Sequence, residues 1–142
     1  MTFEKNEART NFLKYAFTSI DKDHIIPESY RNSVLNNIKN GEHIEDIEEL
    51  LFQTGVINCL KLSKRKGREK IDEKTIDEYF LGPHNKISDC KAYVGTVKKL
   101  NKNSTRVEIA DCSRSYKTFL EPQLKLGDKV IVHGRYVIKA IE

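Results

Sequence analysis

A chain of 142 residues with 38% apolar and 32% charged side chains has room for one domain or two small ones around a modest core. No run of about 18 apolar residues occurs, which excludes a membrane-spanning helix, and three widely spaced cysteines argue against a disulfide framework and for a reducing, cytoplasmic setting. Residues 1–89 hold 14 Lys and Arg against 16 Asp and Glu, net −2, whereas residues 90–142 hold 11 against 5, net +6, so a basic module with an anionic or acidic partner follows a mildly acidic one.

The N-terminus is polar, carries acids and has no apolar stretch after it, unlike a secretory leader. From there the apolar period is helical. Ala8, Phe12, Leu13, Ala16, Phe17 and Ile20 predict a helix over 6–20, and Tyr30, Val34, Leu35 and Ile38 a second over 28–40. Pro27 suits the start of the second and Gly41 its end. A third begins near Glu42, with Ile44, Ile47, Leu50 and Leu51 on one face, and continues past Gly55 through Val56, Ile57, Cys59, Leu60 and Leu62. Asp72 can cap a fourth over 73–81, which Gly82-Pro83 stops. The expectation for residues 1–82 is a small helical bundle.

Residues 61–70 hold six cations, which fits either a solvated helix end or a patch for an acidic partner or nucleic acid. Residues 83–89, rich in turn formers, read as the linker.

Residues 90–142 change to short alternating runs. Strands are expected at about 92–100, 105–111, 116–120, 129–133 and 135–141, with Gly95 and Gly134 at bends. The fold class is therefore α+β: helices first, then a five-stranded barrel of the OB type.

Cys90 opens this half and His133 lies near its close. A thiolate and a neutral imidazole are a possible metal-binding pair, and the first and last strands of a small barrel can be neighbours. Cys59, among Ile57 and Leu60, reads as core, and Cys112 as a turn residue within possible reach of a metal on Cys90. His24, His43 and His84 lie in polar segments and read as solvated, with His84 a candidate extra ligand. No nucleophile elbow, phosphate loop or His-Glu-x-x-His occurs, so no catalysis is expected.

The opening Cys90-Lys91-Ala92-Tyr93-Val94-Gly95-Thr96-Val97 resembles the Cys-x-Ala-x-Pro-Gly-x-Val start of the HypC/HupF hydrogenase-maturation chaperones. The segment from Gly127-Asp128 to His133, with Ile138-Lys139-Ala140-Ile141 after it, is similar to that family's closing strand pair. Val107 to Pro122 keeps the rhythm of two strands and a proline-bearing loop, so the likeness covers residues 90–142. The resemblance implies a barrel chaperone that assembles the iron centre of nickel-iron hydrogenases. It also implies protein partners, a maturation scaffold and a metalloenzyme precursor, and transient iron on Cys90 and His133. The chain departs from the pattern in three places. Cys90 follows 89 other residues, Val94 replaces proline, and Gly134-Arg135 alters the spacing after the histidine.

A second class of function stands beside this one. An OB barrel of net +6 can bind single-stranded nucleic acid through cations and stacking aromatics. The residues for it are Lys98, Lys99, Arg106, Arg114, Lys117 and Tyr116. Many of these cations alternate with core positions and so are expected on the outer face, which ranks this reading below a protein-interaction adaptor.

Overall fold

The computed structural model describes residues 2–23, 28–40, 53–118 and 120–141. The chain divides into two compact units, Met1–Lys86 and Ile87–Glu142. The first holds helices α1 (Asn6–Asp23), α2 (Glu28–Asn40), α3 (Gln53–Arg65) and α4 (Glu73–Leu81). A short α5 (Pro83–Ile87) follows. The second holds strands β1 (Ala92–Leu100), β2 (Ser104–Ile109), β3 (Cys112–Lys117), β4 (Lys129–His133) and β5 (Tyr136–Ile141). The class is α+β, helices N-terminal and a five-stranded mixed sheet C-terminal. Among the described residues no helix is long and apolar enough to cross a membrane.

The apolar stripe of α1 supplies much of the first core. Phe12, Leu13, Tyr15 and Phe17 are fully buried beside Val34, Cys59, Ile71 and Ile76. Tyr15 stacks flat on Phe80 of α4, with ring centroids 4.2 Å apart. Its hydroxyl donates to Asp77 at 2.8 Å, and Asn11 donates to the same oxygen at 3.1 Å. Burial, then the Asp77 charge, push the Tyr15 phenol far above its ordinary range. The N-terminal segment is tied down by main-chain bonds from Ile71 to Thr2 (2.9 Å) and from Glu4 to Ile71 (2.8 Å).

Helix α4 begins where its cap predicts. The Asp72 carboxylate accepts the Thr75 amide at 2.9 Å, which satisfies one of the first-turn N–H groups. Gly82 closes it with bonds to Glu78 and Tyr79. Pro83 then starts a new turn rather than a linker, because proline fits the first position of a helix. Pro27, Gly41 and the helix expected from Glu42, with Ile44, Ile47, Leu50 and Leu51, lie outside the described residues, as do His24 and His43.

In the second unit β1 pairs antiparallel with β2 on one side and β4 on the other. The order runs β1-β2-β3-β5-β4. β2 and β3 are fully paired, whereas β3 meets β5 through one parallel pair, Lys117 with Tyr136. Val97, Val107, Tyr116, Val130, Val132 and Val137 form the core of this sheet, each contributing about 1.5–3 kcal/mol by leaving water. Gly95 is where β1 crosses close to β2: a Cβ there would stand 2.5 Å from Val107 Cγ1 and 2.8 Å from the Glu108 carbonyl oxygen.

Two strands, β2 and β3, differ from the expectation by more than one residue, and β3 ends at Lys117 rather than 120. β2 ends at Ile109, because Ala110 takes a left-handed turn with φ of 53°. β3 therefore starts at Cys112, so the segment read as a turn is a strand.

Candidate functional site

His133 ends β4 and is 1% exposed. The register sets it opposite Ala92, two residues beyond Cys90. Its Nε2 lies 3.1 Å from the Cys90 main-chain oxygen. A carbonyl only accepts, so Nε2 carries the proton, and the lone pair of the neutral ring is on Nδ1. Metal-ligating histidines commonly donate their second ring N–H to a carbonyl in this way. A metal on His133 would have to use Nδ1, displacing any donor which that lone pair accepts. Cys90 itself is half-buried, and its amide donates to the Ser88 hydroxyl at 3.2 Å. Among the described residues no group of three His, Cys, Asp or Glu side chains is arranged to hold a metal ion.

The other cysteines differ sharply. Cys59 is fully buried, and burial pushes its thiol up to about 12. Cys112 is exposed at the start of β3, and none of the three cysteines is in a disulfide. His84 is half-buried rather than solvated, its ring 4.8 Å from that of Phe80, and burial lowers its pKa.

A second feature comes from the pairing of β2 with β3. Val107 faces Arg114, Thr105 faces Tyr116 and Ile109 faces Cys112. Since side chains alternate, these residues share the core-side face. With Tyr93, they leave a recess of about 250 Å³ lined by Tyr93, Ile109, Cys112, Arg114 and Tyr116. Tyr93 is 44% exposed there. Burial raises the Tyr116 phenol, while the Arg114 guanidinium pulls it down and Tyr93 pushes it up. Those couplings mark the three side chains as near neighbours.

The cations considered for nucleic acid do not form one surface. Arg114 and Tyr116 belong to the recess. Arg106, opposite Ser115, and Lys117, opposite Ser104, lie on the other face of the same strands. Lys117 holds its ammonium 5.6 Å from the centroid of the Tyr136 ring. Lys98 and Lys99 are exposed at the irregularity of β1. In the first unit, the basic run 61–70 is partly committed to ion pairs. Lys66 reaches Glu78 at 2.9 Å and the Thr75 hydroxyl at 3.3 Å, and Arg68 pairs with Asp72.

Sequence reasoning did not assemble the recess, because a register set by partner strands, not by local pattern, brings Tyr93 to Arg114. No protein-family model matches the chain, and no curated protein matches it.

Proposed function

We propose that the second unit is an OB-type barrel that works as a non-catalytic metallocentre-assembly adaptor of the HypC kind. The strand order β1-β2-β3-β5-β4, the parallel β3–β5 contact and the antiparallel β1–β4 pairing support the barrel. The observation that carries the functional reading is the approach of His133 Nε2 to the Cys90 carbonyl. It brings a thiol-bearing residue and an imidazole of fixed tautomer to one end of the sheet. In this reading iron is cargo. Cys90 supplies a thiolate, His133 orients the Cys90 main chain and offers Nδ1, and the remaining positions are filled by exogenous ligands or by a partner scaffold or enzyme precursor.

Cobalt(II) titration of the full chain tests this. A sulfur-to-metal charge-transfer band is expected with the native chain and with Cys59→Ser and Cys112→Ser, and is expected to vanish with Cys90→Ser. A band that survives Cys90→Ser sinks the assignment.

A second reading is favoured by the recess. Tyr93, Tyr116 and Arg114 could stack one base and hold one phosphate, worth roughly 1–3 kcal/mol for the stack. Because Arg106 and Lys117 lie on the opposite face, a strand would find few phosphate contacts beside Arg114. Anisotropy of labelled dT10 near 0.15 M salt decides it: weak binding fits the adaptor, and sub-micromolar binding lost with Arg114→Ala makes nucleic acid the ligand.

A further inference from the structure

β3 is only partly covered on the side away from β2. Among the described residues its partner there is Tyr136, reached by Lys117, while Cys112, Ser113, Arg114 and Ser115 are exposed. The direction of the main-chain groups follows from one bond. The Lys117 amide donates to the Arg135 carbonyl of the β4–β5 turn at 2.7 Å, so residue 117 points away from β2. Main-chain groups alternate sides along a strand, so Ser113 and Ser115 point the same way, and Cys112, Arg114 and Tyr116 point toward β2. β2 agrees: Ser104 gives its carbonyl to Asn101, on the β1 side, leaving the odd residues of β2 for β3. Ser113 and Ser115 thus present two N–H donors and two carbonyl acceptors along an open edge.

The recess adjoins that edge, since Cys112, Arg114 and Tyr116 of β3 form one of its walls. We propose that the open edge of β3 accepts an extended acidic peptide as an added strand, with one aromatic or apolar side chain of that peptide seated in the recess beside Tyr93 and Arg114. Main-chain bonds to Ser113 and Ser115 supply affinity, and the recess selects the side chain, as in other strand-addition complexes. Charge selects the partner. Arg114 shares the face of the recess and Lys117 lies on the other face at the end of the edge, so carboxylates two residues either side of the seated side chain meet Arg114, and one three residues away can meet Lys117. Arg114 also disfavours a second copy of this chain, since an antiparallel β3 pair centred on it would set Arg114 against its own like charge. The inference rests on the adaptor reading only in supposing that the partner is a protein, because the edge shares no residue with Cys90 and His133.

The test is amide exchange by NMR on the full chain, alone and with the peptide acetyl-Glu-Glu-Val-Phe-Val-Glu-Glu-amide, which sets two Glu on the face of the Phe and two on the other. In the chain alone the Ser113 and Ser115 amides should exchange fast and those of Arg114 and Tyr116 slowly. The peptide should protect Ser113 and Ser115. Arg114→Glu and Ser115→Pro should each weaken it by about tenfold or more, the first through charge and the second by removing an edge donor. A peptide with Lys in place of Glu should not bind. Protection of Ser113 and Ser115 in the chain alone, peptide shifts confined to other residues, or protection by dT10 and not by the peptide would each overturn the proposal. Cys90→Ser should leave peptide binding unchanged. A native chain that gives no cobalt band but binds the peptide condemns the cargo reading alone, and a native chain that gives the band but does not bind the peptide condemns the edge alone.

Discussion

The imidazole of His133 lies 3.1 Å from the main-chain oxygen of Cys90, 43 residues earlier in the chain. That bond ties the segment entering β1 to the end of β4, next to the pair of Ala92 with His133. It gives a buried ring nitrogen its acceptor, and it holds the residue that carries the thiol.

His133 should therefore matter to stability before it matters to any metal. Replacing it with Ala leaves the space of a buried ring and removes the donor to the Cys90 carbonyl. The expected loss is about 2–4 kcal/mol in urea unfolding. His133→Gln, whose amide can still donate, should recover part of it. A loss below about 0.5 kcal/mol for Ala would mean that the bond does not hold the segment.

Gly95→Ala should destabilise the second unit by about 1–3 kcal/mol, since the new methyl meets Val107 Cγ1 and the Glu108 carbonyl oxygen inside van der Waals distance. Chemical denaturation of the variant measures it. A neutral substitution would show that β1 and β2 do not approach so closely there.

The three thiols should react at different rates with a disulfide reagent at pH 8. Cys112 is exposed and Cys90 half-buried, whereas Cys59 is enclosed with its thiol held at about 12. Two thiols should titrate in the native chain and the third only on unfolding. Fast labelling of Cys59 in native conditions would contradict the packing of α3.

Asp72 links the first unit to pH. Burial pushes its carboxyl up, but the Thr75 hydrogen bonds, then Arg68 and Lys66, outweigh it and hold the carboxyl below its ordinary 3.8. A lowered folded-state pKa adds stability that is present above 3.8 and is lost as pH falls through the folded value. Asp72→Ala should cost about 0.5–2 kcal/mol at pH 7, and that cost should shrink below the ordinary carboxylate range. Urea midpoints of both proteins across pH 7 to 2 give the comparison. A cost that does not change with pH would assign the effect to helix geometry rather than to charge.

Local signals carried much of the fold. The bounds of α4 follow from Asp72 and Gly82, which act within one turn of themselves, and β1 and β4 follow from alternation and flanking turn residues. β3 was legible as a strand but not its start, because that start depends on Ala110 adopting a left-handed turn, which nothing in an alanine announces. The site divides in the same way. That Cys90 and His133 could be neighbours was readable from their places in the first and last segments. The recess was not, since Tyr93, Ile109 and Arg114 meet only through strand register. His84 was misread because its polar neighbours in the sequence hide its contact with Phe80 one turn away.

Iron content per chain, measured on protein isolated without oxygen from its own cells, tests the proposed carriage of iron by Cys90. Iron is expected with the native chain, with Cys59→Ser and with Cys112→Ser, and none with Cys90→Ser. Iron that persists in Cys90→Ser, or a native chain isolated without any, would contradict it.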